Sequence, residues 1–575
     1  MKSILKYLRP YAKFIALEIG LLVVYAATSL ALPTIMQNII NIGIKNSDMS
    51  YVLIFGAVMI AIAAIGAFVS IYSVYVMTHI GQSFSRDLRA AVFDKAQKLS
   101  VSKFSDIGNS SLIARSTDDI RIIQDLFDLI IRAVALSPIM IIGATILAIL
   151  TDVKLSLIML AVIPLMGAFV LFMLKVASPL WDKAQKFIDK MVLIMRERLM
   201  GIRVIRAFNK EDSERERFKN SAKDMAHNVI KGNNIGISIN PILILMLNVV
   251  IIAIVYFGAG RIVSLKGAIG AGQVMALVQY VSLIMNSLIE IGWVLVLMPR
   301  LKVSSNRIIE VLNAKSEIED TGTKDTSLVK GHIKFQNVTF RHAGAEKAAV
   351  ENISFNAPVG TTVAIIGSTG SGKSTIAKLL MRFYDVTEGN ILLDDHDIRE
   401  YPIKDYRKLL SYVPQSGSIF SGSIKENILN GRQDATDEEI NKACEIAMAK
   451  KFIDEKPAGL EEIIVESGNN LSGGQKQRLA LSRALVRKSS IYVLDDCFSA
   501  LDYKTDLTIR KNLKKHFLDR TVFLITQRIS TAMSADIIIV LENGKMVGLG
   551  KHAELLKTCT VYKEIATSQL GKEAL

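Results

Sequence analysis

The run TTVAIIGSTGSGKSTIAKLLMRFY concentrates more chemistry than any other stretch of the chain. Gly367, Gly372, Lys373 and Ser374 fit the spacing G-x-x-x-x-G-K-[ST], between an apolar strand pattern and a helical one. Glycines so spaced let backbone N–H groups close around phosphate, at the positive end of the next helix. Lys373 is predicted to reach the β- and γ-phosphates of ATP or GTP, and the Ser374 hydroxyl to ligate Mg²⁺. In SSIYVLDDCFSALD an apolar strand ends in acid, which places Asp495 to hold Mg²⁺ through water. In NNLSGGQKQRLALSRAL, Ser472, Gly473 and Gly474 precede a strong helix pattern. They read either as a second anion-binding surface or as a simple helix cap. Gln415, in SYVPQSGSIF, is a polar side chain after another strand and says little by itself.

These residues need a frame. From 331 to 575, short β-rich runs alternate with helices, the pattern of an α/β domain. Residues 311–330 read as a polar linker, and residues 1–310 as something different. The chain has 575 residues, of which 50% are apolar types and 21% charged; mean hydropathy is +0.35. That excludes a disordered or fibrous protein and argues against an ordinary soluble enzyme. Six apolar stretches reach the ~20 residues that a bilayer crossing needs: Phe14–Ile39, Tyr51–Thr78, Leu129–Leu150, Leu155–Ala177, Ile235–Val263 and Gln273–Met298. The predicted fold is therefore a six-helix α-helical transmembrane domain followed by an α/β P-loop ATPase domain. The first span is too long, and is succeeded by too many others, to be a signal peptide.

Charge orients the first half. The net charge is +15, and residues 331–575 hold 33 basic against 30 acidic groups, leaving 36 against 24 in residues 1–330. A basic excess in the apolar half points to inner membrane loops rather than a nucleic-acid partner. Segments 79–126 and 178–234 are rich in Lys and Arg, whereas the opposite loops hold only Lys45, Lys154 and Lys266. Both chain ends are thus predicted to be cytoplasmic, and the two basic segments to continue the membrane helices into the cytosol. Glu18 and Glu290 fall inside predicted spans, where an acid costs about 2.5 kcal/mol or more unless it faces protein or water. Each reads as a cavity acid that attracts cationic cargo or as a paired structural group, and Glu290 is the stronger candidate because Glu18 lies nearer the inner surface. Cys444, Cys497 and Cys559 make neither a disulfide framework nor a zinc site.

Six spans followed by GSTGSGKST, a glutamine loop at Gln415, LSGGQ at 471–475, VLDD at 493–496 and SALD at 499–502 resemble an ABC exporter along essentially the whole chain. The resemblance implies a dimer with twelve membrane helices. It implies two ATP molecules sandwiched head to tail, each between one chain's phosphate loop and the other's LSGGQ. Nucleotide contacts then fall to Gly367, Ser368, Thr369, Gly370, Ser371, Gly372, Lys373, Ser374, Thr375, His342, Gln415, Ser472, Gly473, Gly474 and Gln475. Mg²⁺ falls to Ser374, Gln415 and Asp495. Coupling helices fall near Asn109–Asp119 and Gly201–Asp212.

Three positions depart from the family pattern. Asp496 stands where the family has a general-base Glu, Gln527 where it has a switch His, and His342 where an aromatic ring stacks on adenine. Asp is one methylene shorter than Glu, about 1.5 Å, and a catalytic group misplaced by about 1 Å costs on the order of 10²-fold. Gln cannot carry positive charge near a developing phosphoryl charge. Both changes weaken hydrolysis and neither prevents ATP binding. The pattern resembles the degenerate-site subunit of a bacterial heterodimeric multidrug exporter in the plasma membrane. Its implied partners are a second homologous half-transporter, the bilayer and an amphipathic small molecule. The rivals are a homodimeric exporter of lipid or peptide and a membrane regulator that binds ATP without moving cargo. No protease-like leader domain precedes the first span, which argues against peptide maturation.

Overall fold

A computed structural model describes residues 2–264, 270–314, 318–517 and 519–571. The chain divides into two compact units, Met1–Lys98 with Ile107–Ala314, and Leu99–Asp106 with Lys315–Leu575.

The first unit is helical. Among the described residues, six segments are long and apolar enough to cross a membrane: Ser3–Ile44, Met49–Gln97, Asn109–Thr151, Val153–Met173, Pro241–Val263 and Ala271–Asn313. Several helices are much longer than one bilayer crossing needs. Met49–Gln97 has 49 residues, Val153–Met200 has 48 and Glu211–Ser264 has 54. At 1.5 Å per residue the first of these is about 74 Å long, more than twice a ~30 Å hydrocarbon core. The pattern of polar, helix-forming residues continuing from each span therefore yields helical extensions. Starts are capped by acids: Asp48 accepts from the Tyr51 N–H at 3.0 Å, and Asp152 from the Leu155 N–H at 2.8 Å. Asp152 also pairs with Arg261.

Packing separates two faces. Ala26, Ala144, Ala148 and Ala276 are buried, with Leu22, Ile254 and Tyr280 around them; small side chains let helix backbones approach closely. Ile60, Phe68 and Leu150 are more than 70% exposed, as a lipid-facing surface requires. The Thr34 and Tyr280 hydroxyls hydrogen-bond at 2.7 Å. Both acids within the spans have partners: Ser73 Oγ donates to Glu18 Oε1 at 2.6 Å, and Ser137 Oγ to Glu290 Oε2 at 3.0 Å. Two π-helical segments, Ile39–Ile44 and Arg132–Leu136, interrupt the first and third spans.

Between the second and third spans lie two short helices: Asn109–Ser116, within the expected Asn109–Asp119, and before it Val101–Ile107. The latter is set off by Gly108, whose φ of +81° ends it and starts Asn109–Ser116. The later break also falls within its expected range, with Ile202–Ala207 between Gly201 and the helix beginning at Glu211.

The second unit is α/β. Its strands are β1 (Ile333–Phe340), β2 (Val350–Ala357), β3 (Thr362–Gly367), β4 (Glu388–Leu393), β5 (His396–Asp397) and β6 (Leu410–Val413). They continue with β7 (Gly422–Ser423), β8 (Ile463–Ile464), β9 (Ile491–Asp495), β10 (Thr521–Ile525), β11 (Ile537–Glu542) and β12 (Lys545–Gly550). One sheet has the order β12-β11-β3-β10-β9-β6 and is parallel except for β12. Its central strands read VAII, IYVL and VFLI and are buried throughout, because helices cover both faces of a parallel sheet. An antiparallel sheet, β2-β1-β4-β5, lies beside it, and β7 pairs with β8. Central strands β3, β10 and β9 thus run side by side, with Ile525 beside both Ile365 and Asp495. Their carboxyl ends open onto one crevice, where parallel α/β sheets hold ligands.

Candidate functional site

The segments leaving the carboxyl ends of these three strands build the crevice. After β3, the loop from Gly367 to Gly372 turns sharply into the helix Lys373–Leu380. A Cβ on Gly367 would strike the Leu541 carbonyl and lie 2.6 Å from Ser371 Oγ. Gly372 has φ +98°, and a Cβ there would lie 2.7 Å from the Ala349 carbonyl. Both positions exclude side chains, which keeps the loop tight and its backbone N–H groups available. The N–H groups of Lys373 and Ser374 start the helix and have no intrahelical acceptor.

Lys373 is 7% exposed and folds back over its own loop. Its Nζ donates to the Gly367 carbonyl at 2.9 Å and to the Ser368 carbonyl at 2.6 Å. Burial pushes its ammonium down from the ordinary lysine value, and the charges of Asp496 and Asp495 oppose that. The side chain is therefore a cation held in a preformed ring of carbonyls, which a phosphate group could replace as its partner.

After β9, Asp495 is buried and accepts from Ser374 Oγ at 3.1 Å and from the Tyr412 hydroxyl at 3.4 Å. Burial holds its carboxyl above the usual range, and these two donors act against the shift. A hydroxyl and a carboxylate meet here, both hard oxygen donors, on an acid whose burial disfavours its charge. That combination fits Mg²⁺, which takes one or two protein groups and completes its shell with phosphate and water.

Asp496, the next residue, has φ +48°, and its N–H is fixed to the Ile525 carbonyl at 2.8 Å. Burial and the neighbouring Asp495 raise its carboxyl, while Arg528, Lys373 and a hydrogen bond from Gln415 lower it. Gln415 thus meets Asp496. After β10, Gln527 is exposed, and its backbone carbonyl accepts from Gln569 Nε2 at 2.7 Å. Phosphate loop, Asp495, Asp496, Gln415 and Gln527 therefore gather at the ends of neighbouring strands. The exposed His342 ring lies edge-on to Phe340 and Tyr384, with centroids 4.8 and 5.5 Å away.

Ser472 to Gln475 form the start of a second helix, Gly473–Leu485. Ser472 Oγ accepts from the Gln475 N–H at 3.2 Å, and Gln475 Oε1 accepts from the Ser472 N–H at 2.8 Å. This is a reciprocal capping box, so the simple cap reading holds within one chain. Among the described residues, no hydrogen bond joins Ser472–Gln475 to residues 367–375. Two further residues, carried by no motif, tie this helix to the crevice. Gln477 Nε2 donates to Ser499 Oγ at 3.1 Å, and its Oε1 accepts from the Ala500 N–H at 3.0 Å. Arg528 Nη2 donates to the Ser499 carbonyl at 2.8 Å. Tyr412 likewise escapes sequence reasoning. It sits in β6, and only the pairing of β6 with β9 brings it to Asp495.

Residues 15–288 match the family described as ABC transporter transmembrane region, and residues 350–499 match that described as ABC transporter. The ABC transporter ATP-binding protein YfiB of Bacillus subtilis is 35% identical over 573 residues, 100% of this chain and 99% of its own. The chain belongs to the ABC transporter family. The ATP-dependent lipid A-core flippase of Pseudomonas aeruginosa is 29% identical, over 99% of this chain and 96% of its own. A solved bacterial Atm1-family ABC exporter with ATP bound superposes with a TM-score of 0.83 at 24% identity, covering 97% of this chain and 99% of that one. The polypeptide therefore has the ABC exporter fold, a membrane domain with six apolar helices followed by an ATP-binding domain. ABC exporters work as dimers in the membrane, so this chain is a half-transporter.

Proposed function

We propose that the chain is the hydrolysis-impaired half of a heterodimeric exporter of amphipathic compounds, drugs or lipids, in a bacterial plasma membrane with both chain ends inside. The observation that carries this reading is the contrast within one crevice. The parts that would grip nucleotide are built: a glycine loop without room for side chains, Lys373, and Ser374 against Asp495. The parts that would cut it are altered: Asp496 and Gln527 stand at the positions of base and switch.

On this reading the N–H groups of residues 368–375 and Lys373 hold the phosphates, and His342 lies against adenine. Ser374, Asp495 and Gln415 hold Mg²⁺, which neutralises phosphate charge when bound. Asp496 receives a proton from water less effectively than a Glu one methylene longer. Gln527 supplies a hydrogen bond without a charge. Ser472–Gln475, whose capping box aims a helix start outward, completes the partner's site, where turnover resets the transporter. ATP binding favours the closed form because that form holds nucleotide more tightly.

The test is the ATPase rate of the purified chain alone and together with a homologous half that carries Glu and His at these positions. A low rate alone and a high rate in the pair are expected. A rate alone that equals that of the pair would remove the division of labour. A homodimeric lipid exporter is the second reading, supported by the lipid A-core flippase among the relatives; it requires brisk turnover by the isolated chain.

A further inference from the structure

The membrane unit holds a cavity of about 290 Å³ between the helices Met49–Gln97 and Asp118–Ile131. Its wall is mixed: Met77 and Phe127, the amides Gln82 and Gln124, and the carboxylates Asp125 and Asp128. Asp128 is paired with Arg132 at 3.3 Å. Asp125 is exposed and has no hydrogen bond or ion pair among the described residues.

Glu18 belongs to the same region. It is fully buried, its Oε1 accepts the Ser73 hydroxyl at 2.6 Å, and its Oε2 is buried with no partner among the described residues. Ser73 directly precedes the lining residue Val74, and Glu18 feels the charges of both Asp128 and Arg132. Asp128 and Glu18 thus lie near the Arg132 guanidinium, and Asp125 in the cavity wall is left without a cationic partner among the described residues. An occupant of matching chemistry is cationic and brings N–H donors. A bare metal ion fits poorly, since among the described residues no group of three His, Cys, Asp or Glu is arranged to hold one.

Size and position narrow the class. At about 290 Å³ the cavity lies at the small end of the range of pockets that enclose a drug-sized molecule, roughly 300–1,000 Å³, which suits a headgroup. The lining residues 74–82 run from the last apolar turn of the second span into its polar extension, the level where an amphiphile's head meets its tail. The Phe127 ring adds a face that attracts cations. We propose that this cavity binds the ammonium head of an amphipathic cation, with Asp125 as its counter-ion. That the cation is exported cargo rests on the function proposed above; that it binds does not.

The test uses the full-length chain in its dimer, in phosphatidylglycerol nanodiscs without ATP. The probe is a dansyl-labelled long-chain alkylammonium, compared with its neutral N-acetyl amide. The wild type should bind the ammonium more tightly. Asp125→Asn should weaken the ammonium about 10-fold and leave the amide unchanged, and Asp125→Glu should restore binding to within about threefold. Equal binding of both probes by the wild type, or equal weakening of both by Asp125→Asn, would overturn the site. Repeating the measurement in phosphatidylethanolamine nanodiscs separates the sources of the ammonium. Competition by the lipid assigns the site to a lipid amine and its absence to a soluble amphiphile, and either result upholds the ammonium site. Export is read separately, by ATP-driven uptake of the neutral amide into inside-out vesicles. A transporter without this site and a site on a non-transporter therefore give different results.

Discussion

Under the division of labour proposed above, replacing Asp496 by Glu, with Gln527→His, should convert a nucleotide-holding site into a nucleotide-cleaving one. The backbone at Asp496 is fixed by its N–H bond to the Ile525 carbonyl at 2.8 Å and by its φ of +48°. The added methylene therefore moves the carboxyl rather than the chain, by about 1.5 Å. A group displaced by about 1 Å loses on the order of 10²-fold, so recovery should raise cleavage at this site by about 10²-fold, or about 2.7 kcal/mol of barrier. The imidazole brought in by Gln527→His would add a positive charge that Gln cannot supply. The assay is a single turnover of the heterodimer loaded with labelled ATP, counting cleaved and intact nucleotide per dimer. The parent should retain one intact ATP, and the double variant should cleave both. If the variant binds ATP normally yet retains the intact molecule, the missing methylene and imidazole do not limit the site.

Three other outcomes rest on the geometry. Asp495→Asn should abolish Mg²⁺-dependent nucleotide binding while raising the Tm of the nucleotide-free protein by about 2 °C, the effect of about 1 kcal/mol on a domain of this size. The sign is set by burial. The folded carboxyl lies above its ordinary value of 3.8, so its charged form opposes folding at neutral pH, and the gain should shrink as pH falls toward 4 and both states protonate. Gly372→Ala places a Cβ 2.7 Å from the Ala349 carbonyl at a φ of +98°; it should cost about 1–3 kcal/mol and at least tenfold in ATP affinity by equilibrium binding. Gln477→Ala leaves the Ala500 N–H without its acceptor, a loss of about 1–3 kcal/mol. It should raise hydrogen exchange in the segment Ser499–Asp502 while leaving the distant Val350–Ala357 strand unchanged.

Elements whose physics is local are legible in the sequence. Hydropathy locates all six spans, because a bilayer demands a fixed length of apolar residues. The phosphate loop is legible because only glycine fits where Gly367 and Gly372 meet neighbouring carbonyls. The two π-helical segments are not, since Ile39–Ile44 and Arg132–Leu136 read as ordinary apolar helix. The short helix Asn109–Ser116 falls within its expected place, and Val101–Ile107 before it ends at Gly108. Tyr412, Gln477 and Arg528 are invisible for a different reason. Each acquires its partner only when strands or helices distant in sequence come side by side, as β6 and β9 do around Asp495. Hydropathy favours Glu290 over Glu18 as a cavity acid, yet Glu18 is the one left with an unpartnered buried oxygen.

The strand order β3-β10-β9 has an evolutionary side. The loop leaving β3 and the residues leaving β9 and β10 are anchored in separate strands, so selection can wear away one without unfolding the other. Asp496 and Gln527 lie past the last sheet residues of their strands, Asp496 half-buried and Gln527 exposed. On the function proposed above, a duplicated gene on such a scaffold turns an engine into a clasp in two substitutions and keeps the same frame.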